Sequence, residues 1–459
     1  MNKDIEQALT TLRSRWAVYA KSERYYNGEH DLRFATEKFE NAFGTLFREF
    51  ALNLCPVICD AVRDKLRVVG FSADSVNSEK GIVNSRRKIR DSMNSIDAIN
   101  SATRLIWHQN RMATRAGEVH KEALKCGDAY MIVWPDAQGR AVMYPNRAAG
   151  MAVTYDENAP GRITWAAKAW QTADKYFRLN LFYPDRIEKY ISRSQTEGAL
   201  PEAKDFVPLV QSTRFSVPPA DEAQAKAWTL NNPFGIVPVF HFANNSDLGL
   251  NGRSELDAAI PVQDGLNKSV LDMLVAMEFS AFRQRWAAGI EVEYTADGKM
   301  ASPFKAGVEQ LWISDNPNTK FGDFQAAELE QFLKVKDSFR VDIASVTGTP
   351  LHYFLQTTGG FRSGESLKKA ETRFLAKVRD RQESFGQVWA DVMSFALLIE
   401  GQGRNVSLLT KWEDAAPVAE REFLENILLK KQIGLPVEQA LLEAGYGAAD
   451  VKKMVEKAV

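Results

Sequence analysis

One helix constrains the rest of this chain. From about Ser363 to Glu400 the sequence reads as a single helix. At 1.5 Å rise per residue it spans roughly 55 Å, more than one small core can enclose. A polar, glycine-rich loop, His352 to Arg362, leads into it. Two more helical stretches precede that loop. The first, about Ser254 to Ala281, carries an apolar stripe of Leu256, Ile260, Leu266, Val270, Met273, Leu274 and Met277. Pro261 sits early in it and is expected to kink its first turns. The second, about Ala326 to Val346, stops at Thr347-Gly348-Thr349-Pro350. Between them, 287–324 has turn residues around Glu291-Val-Glu-Tyr294 and Gln310-Leu-Trp-Ile313, and reads as a small α/β insertion.

Residues 1–250 have a different texture. A helix is expected over 4–26, where Ile5, Ala8, Leu9, Leu12, Trp16 and Tyr19 recur at helical spacing and Asn27-Gly28 makes the turn. A second, about 48–67, carries Phe50, Leu54, Val57, Ile58, Ala61, Val62 and Leu66. A third, about 96–126, stops at Cys126-Gly127-Asp128. Short runs rich in β-branched and aromatic residues then read as strands: 130–134, 140–144, 163–170 and 178–183. Residues 193–226 are polar and contain prolines, and read as a surface loop. The tail, 413–459, is helical, with breaks at Gly434-Leu-Pro436 and Gly445-Tyr-Gly447. The fold class is therefore α+β and mainly α-helical.

Composition narrows the partners. Lys and Arg number 58 against 59 Asp and Glu, a net charge of −1. A protein that coats DNA by neutralising phosphates carries a basic excess, so DNA contact here must be local or weak. The cysteines, Cys55, Cys59 and Cys126, make no disulfide framework and fit a reducing cytosol. Cys55 and Cys59 lack two further ligands nearby for zinc and read as buried on a helix. The N-terminus has no signal-like apolar core, and no run approaches membrane-span length, so a cytosol-like compartment without membrane contact is expected.

Enzymatic motifs are missing. There is no phosphate loop, no His-Glu-x-x-His pair and no Gly-x-Ser-x-Gly elbow. His30, His108, His120, His241 and His352 are scattered and read as surface or satisfied core residues. Ser254-Glu255 and Ser363-Gly-Glu365 read as helix starts, with Ser capping and Glu favouring the positive end of the dipole. No catalytic residue, metal or cofactor is expected. From Arg362 to Arg381, basic residues (Arg362, Lys368, Lys369, Arg373, Lys377, Arg379, Arg381) outnumber Glu365, Glu371 and Asp380. This stretch reads either as a solvated helix face with i, i+4 ion pairs or as a surface facing a polyanion.

Three stretches carry a resemblance. They are Tyr25-Tyr-Asn-Gly-Glu-His30 with 53–71; Gly252-Arg-Ser-Glu-Leu256 running into Gln263-Asp-Gly-Leu-Asn-Lys268 and Phe282-Arg-Gln-Arg-Trp-Ala-Ala-Gly289; and Ile343-Ala-Ser-Val-Thr-Gly-Thr-Pro-Leu-His352 with Ser363-Gly-Glu-Ser-Leu367. Their order over roughly 15–400 resembles the portal proteins of long-tailed bacteriophages, in the subfamily typified by the Bacillus phage portal and common in actinobacterial phages. The resemblance implies a ring, usually of twelve subunits, at the capsid vertex. DNA enters and leaves through it, the packaging terminase and then the tail adaptor dock on it, and capsid and scaffolding proteins surround it in the virion. It assigns 1–250 to a wing, 251–286 and 326–350 to two stem helices, 287–325 to a clip, 351–362 to a tunnel loop, 363–400 to a long helix leaving it and 401–459 to a crown. The competing readings are another head or collar component and a DNA-packaging enzyme.

Within that frame, Gly359, Gly360, Arg362 and Lys368 are the expected channel- and DNA-facing residues. Lys369 is a weaker candidate because one residue of helix turns it about 100° away. The stem acids Asp257, Asp264, Asp272 and Glu278 either repel DNA from the wall or are ordinary solvated positions.

Overall fold

The computed structural model describes residues 3–37, 52–73, 86–210, 228–248, 251–281, 285–289, 317–323, 329–355, 364–403, 406–416 and 420–443, with isolated positions besides. Helix α1 (Lys3–Tyr26) buries Ile5, Ala8, Leu9, Leu12, Tyr19 and Tyr25, and Gly28 turns the chain at φ 87°. Helix α2 (Cys55–Arg63) opens with Pro56 in its first turn, where no N–H is needed, and buries Cys55, Ile58, Cys59 and Val62. It is shorter than the expected 48–67, and the earlier part of that stretch, with Phe50, lies outside the described residues. Strand β1 is Val68–Ala73.

The helix expected over 96–126 is two helices, α3 (Arg86–Gln109) and α4 (Met112–Cys126). Arg111 breaks them with φ 54°. The cause is Asn110, which is buried. Its amide donates to the carbonyls of Ile106 at 3.0 Å and Ala141 at 2.9 Å, and its oxygen accepts the Met143 N–H at 2.8 Å. The side chain thus docks the break onto the strand that follows.

Strands β2 (Asp128–Pro135), β3 (Ala141–Arg147), β4 (Met151–Asp156), β5 (Ala159–Gln171), β6 (Phe177–Phe182), β7 (Arg186–Ser192), β8 (Phe206–Pro208), β9 (Thr229–Asn231) and β10 (Val239–Ala243) follow. They form two antiparallel sheets, one ordered β10-β2-β3 and one a meander β4-β5-β6-β7-β8 with β9 on β7. Along β5 and β6 the side chains alternate between faces. Ala167, Ala169, Leu179 and Leu181 pack on Ile5, Leu9 and Leu12 of α1, while Ala166 and Phe182 face Tyr130, Ile132 and Val239. β8 falls within the stretch expected to be a surface loop; 211–227 of that stretch lies outside the described residues.

Helix α5 is Ile260–Ala281. Residues 255–259 form turns instead of the expected helix start, so Pro261 lies in the first turn, where a missing N–H costs nothing and the expected kink is not required. Strands β11 (Arg285–Ala288) and β12 (Lys320–Asp323) pair antiparallel at the base of the insertion, whose interior, with Glu291–Tyr294 and Gln310–Ile313, lies outside the described residues. Helix α6 is Leu329–Thr347 and α7, the long helix, is Gly364–Ile399. Strand β13 (Leu408–Trp412) pairs antiparallel with β1. Helices α8 (Glu420–Gln432) and α9 (Val437–Glu443) lie in the tail. The far half of α7 is the centre of the main core: Phe385, Trp389, Val392, Met393, Ala396 and Leu397 are fully buried among residues of α2, α4, β2 and β10. Leu333, Val335, Val341 and Val346 of α6 and Leu424, Leu428 and Leu429 of α8 remain exposed. Among the described residues, no helix is long and apolar enough to cross a membrane.

Candidate functional site

The stretch Gln263–Lys268 opens α5 with side chains that hold the N-terminal part of the chain. Gln263 accepts the Leu54 N–H at 3.1 Å and donates to the Leu52 carbonyl at 2.7 Å. The Tyr25 hydroxyl donates to Asp264 at 2.7 Å. Asn267 donates its amide hydrogen to His30 Nδ1 at 2.6 Å, so the ring proton sits on Nε2 and is donated to the Tyr25 carbonyl at 3.0 Å. Two of the stretches that carry the resemblance therefore touch each other. Asp264 is 3% exposed, and burial pushes its carboxyl above the usual range. It cannot repel DNA from a wall. Asp272 is paired with Lys268 at 2.5 Å, while Asp257 and Glu278 are exposed.

Gly265 sets the distance between α5 and α6. A Cβ there would lie 2.9 Å from the ring of Phe339. Leu266 and Val270 of α5 and Ile343 and Ala344 of α6 are buried in the same core. Helix α6 ends where Gly348 takes φ 68° and Pro350 prevents continuation. A single 3₁₀ turn, Leu351–Tyr353, follows. Residues 356–363 lie outside the described residues, and with them Thr357, Thr358, Gly359, Gly360, Arg362 and Ser363. Lys368 and Lys369 lie in the first turns of α7; their side chains are outside the described set.

Part of the basic run behind them bonds to the protein itself, which neither expectation for it contained: Lys377 is half-buried and Arg381 buried, while Arg373 and Arg379 stay exposed. Arg373, Lys377 and Arg381 stand four residues apart on one face of α7. Arg373 donates to the Ser345 carbonyl at 3.3 Å and Lys377 to the Thr347 carbonyl at 3.0 Å. Both satisfy carbonyls at the end of α6, where the helix dipole favours cations. Lys377 also pairs with Glu255 at 2.5 Å, and Arg381 with the same carboxylate at 3.0 Å. Glu255 is therefore not a helix-start residue. Its side chain is 8% exposed. Burial would push its carboxyl up, but the charges of Lys377 and Arg381 outweigh this and hold it below the usual range. Ser254 does cap locally, accepting the Leu256 N–H at 3.0 Å and donating to the Lys125 carbonyl at 2.5 Å.

A second buried cluster had no signal in the sequence. Asp128 accepts hydrogen bonds from Arg15 at 2.9 Å, the Tyr19 hydroxyl at 2.6 Å, His241 Nε2 at 2.8 Å and the Gly252 N–H at 2.6 Å. Burial would raise its carboxyl, but His241, Tyr19 and the Gly252 N–H together hold it low. Tyr155 meets His241 Nδ1 at 2.6 Å. The Asp–His–Tyr order resembles a proton relay, and the Asp128 and His241 side chains are 0% exposed. The cluster ties α1, β2, β4 and β10 to the segment entering α5. That segment passes so close that a Cβ on Gly252 would lie 1.9 Å from the Gly127 carbonyl oxygen. Glu23, Glu122 and Cys126 also converge, but the Lys125 ammonium pairs with both carboxylates and already supplies the positive charge.

The family described as "Phage portal protein, SPP1 Gp6-like" matches residues 13–458. The portal protein of Mycobacterium phage L5 is 25% identical over 246 residues, 51% of each chain. That of Mycobacterium phage D29 is 26% identical over 231 residues, 48% of each chain. The chain thus spans about half the length of the curated relatives it matches. A solved structure titled "Neck of empty GTA particle computed with C6 symmetry" superposes with a TM-score of 0.45 at 12% identity, over 85% of this chain and 89% of that one. With a match that runs nearly from end to end, the chain belongs to the SPP1 Gp6-like family of phage portal proteins.

Proposed function

We propose that this protein is a subunit of the ring at the capsid vertex through which double-stranded DNA is packaged and later ejected. The family match over 13–458 carries the reading. In it, 1–250 forms the wing, α5 and α6 the stem, 287–325 the clip, 351–362 the tunnel loop and α7 the helix leading back into the wing. Residues 401–459 form the crown side, and strand β13 near its start pairs with β1. Terminase and then the head–tail adaptor dock at the clip, and capsid and scaffolding proteins surround the ring. The subunit assembles in the host cytoplasm and ends in the virion.

Two physical features support the reading. The exposed Leu333, Val335, Val341 and Val346 on α6 give a neighbouring copy an apolar surface to cover. A net charge of −1 suits a wall along which DNA slides, because each phosphate neutralised tightens binding. The role is structural, and no residue is assigned to catalysis. Native mass spectrometry of the purified protein is expected to show closed rings of about twelve subunits, and the rings to hydrolyse no ATP alone. A protein that stays monomeric at every concentration overturns the reading.

A further inference from the structure

We infer that Glu255 is a positioning residue: by gripping Lys377 from the core, it fixes the angle between α6 and α7, on which the ring's hold on DNA depends. This rests on the portal reading above.

The carboxylate is mounted on the core, not on the helices it controls. Its backbone N–H donates to the Leu124 carbonyl at the end of α4 at 2.9 Å. Asn244, just past β10, donates its amide to Glu255 Oε1 at 3.2 Å. From this mounting the other oxygen takes Lys377 Nζ at 2.5 Å. The same ammonium donates to the last carbonyl of α6, Thr347, at 3.0 Å. One nitrogen thus joins the core, the end of α6 and the body of α7. A turn earlier, Arg373 grips the Ser345 carbonyl and lies over Gly348, its Nε 3.4 Å from where a Cβ would stand. A turn later, Arg381, with 6% of its side chain exposed, closes on the same carboxylate.

Cohesion alone does not require these charges. Phe374 and Val378 of α7 are already fully buried beside them, and a buried ion pair often adds little net stability over apolar residues of similar size. The charges add direction. Apolar surfaces tolerate sliding, whereas an ammonium shared between a fixed carboxylate and a helix-terminal carbonyl does not. The clamp lies at the point where α6 ends and α7 is tied down, flanking 356–363 on both sides.

The test uses full-length rings carrying Glu255→Gln. Rings are expected to form. Hydrogen–deuterium exchange is expected to rise at least tenfold in 340–347 and 371–381, and to stay unchanged in 385–399 and in β5–β6. In capsids assembled with the variant, DNA retention is expected to fall several-fold. Uniformly faster exchange, or none, overturns the inference, as does local loosening with full DNA retention. If Glu255→Gln yields no rings, the double variant Glu255→Gln with Lys377→Met, which leaves neither member of the pair charged, is read in the same way. Failure of both to assemble also overturns it, because the pair would then hold the fold together instead of setting an angle. Parent rings that support neither packaging nor retention overturn the portal reading itself, a separate result.

Discussion

The indole N–H of Trp389 donates to His120 Nε2 at 2.8 Å in the middle of the core. An Nε2 that accepts carries no proton, so the ring proton is on Nδ1, and it is donated to the Leu66 carbonyl at 3.1 Å. Phe385 stacks on the same ring with centroids 5.6 Å apart. One histidine therefore joins α4, the end of the α2 segment and α7, and it does so only when neutral. Burial holds its pKa down to about 3.

The pH dependence of stability follows. The unfolded chain protonates His120 near 6.5, while the folded chain resists until about 3. The contribution is full above the unfolded value and is lost as pH falls below it. His30 is also held low by burial and acts in the same direction. For His120 alone, about 2 kcal/mol is lost between pH 7.5 and 5. Glu255 and Asp128, held low in the folded state, add to the loss only below their unfolded values near 4. Thermal melting of rings is expected to fall first between pH 6.5 and 5 and again below pH 4.5. A flat profile down to pH 5 contradicts the buried neutral ring.

Gly252 is a steric requirement. Gly252→Ala forces its Cβ against the Gly127 carbonyl and displaces the N–H that Asp128 accepts. The expected loss is about 3 kcal/mol or more. Gly70→Ala, where a Cβ meets nothing within 4 Å, is expected to stay within about 0.5 kcal/mol. Chemical denaturation of the two variants side by side checks this; equal stability refutes the close approach.

Asp128→Ala leaves the Arg15 guanidinium and His241 without their shared acceptor. Removing one partner of a buried pair costs about 3–5 kcal/mol. Soluble yield and melting temperature are expected to drop together. An unchanged melting temperature means that Asp128 does not hold α1, β2 and β10 together.

What the sequence revealed depended on the distance between partners. Helix α1 was legible because its core contacts repeat at helical spacing: Ile5, Ala8, Leu9 and Leu12 were expected and are buried. The break between α3 and α4 was not, because it depends on Asn110 reaching Ala141 and Met143 on the next strand, while the apolar pattern runs through it unbroken. Glu255 was misread for a related reason. Ser-Glu before an apolar run has the pattern of a helix start, and its partners Lys377 and Arg381 lie far along the chain. The resemblance reached further than periodicity because Tyr25–His30 and Gln263–Lys268 are bonded to each other. Which basic residues face outward was legible from neither.

That last point separates two groups of basic residues by experiment. Arg373 and Arg381 have internal partners in Ser345 and Glu255. Arg381→Gln leaves Glu255 with one cation in a buried site, so it is expected to cost about 3 kcal/mol in stability and to lower the melting temperature of the rings. Arg362 and Lys368 are proposed to meet DNA. Arg362→Gln with Lys368→Gln is expected to leave ring formation and melting temperature unchanged. It should weaken DNA retention modestly and make it less sensitive to salt, because phosphate contacts release counterions and two fewer contacts flatten that dependence. The readouts are melting temperature and DNA retained in filled capsids across a salt series. A double variant that retains DNA as the parent does at every salt concentration removes Arg362 and Lys368 from the channel wall.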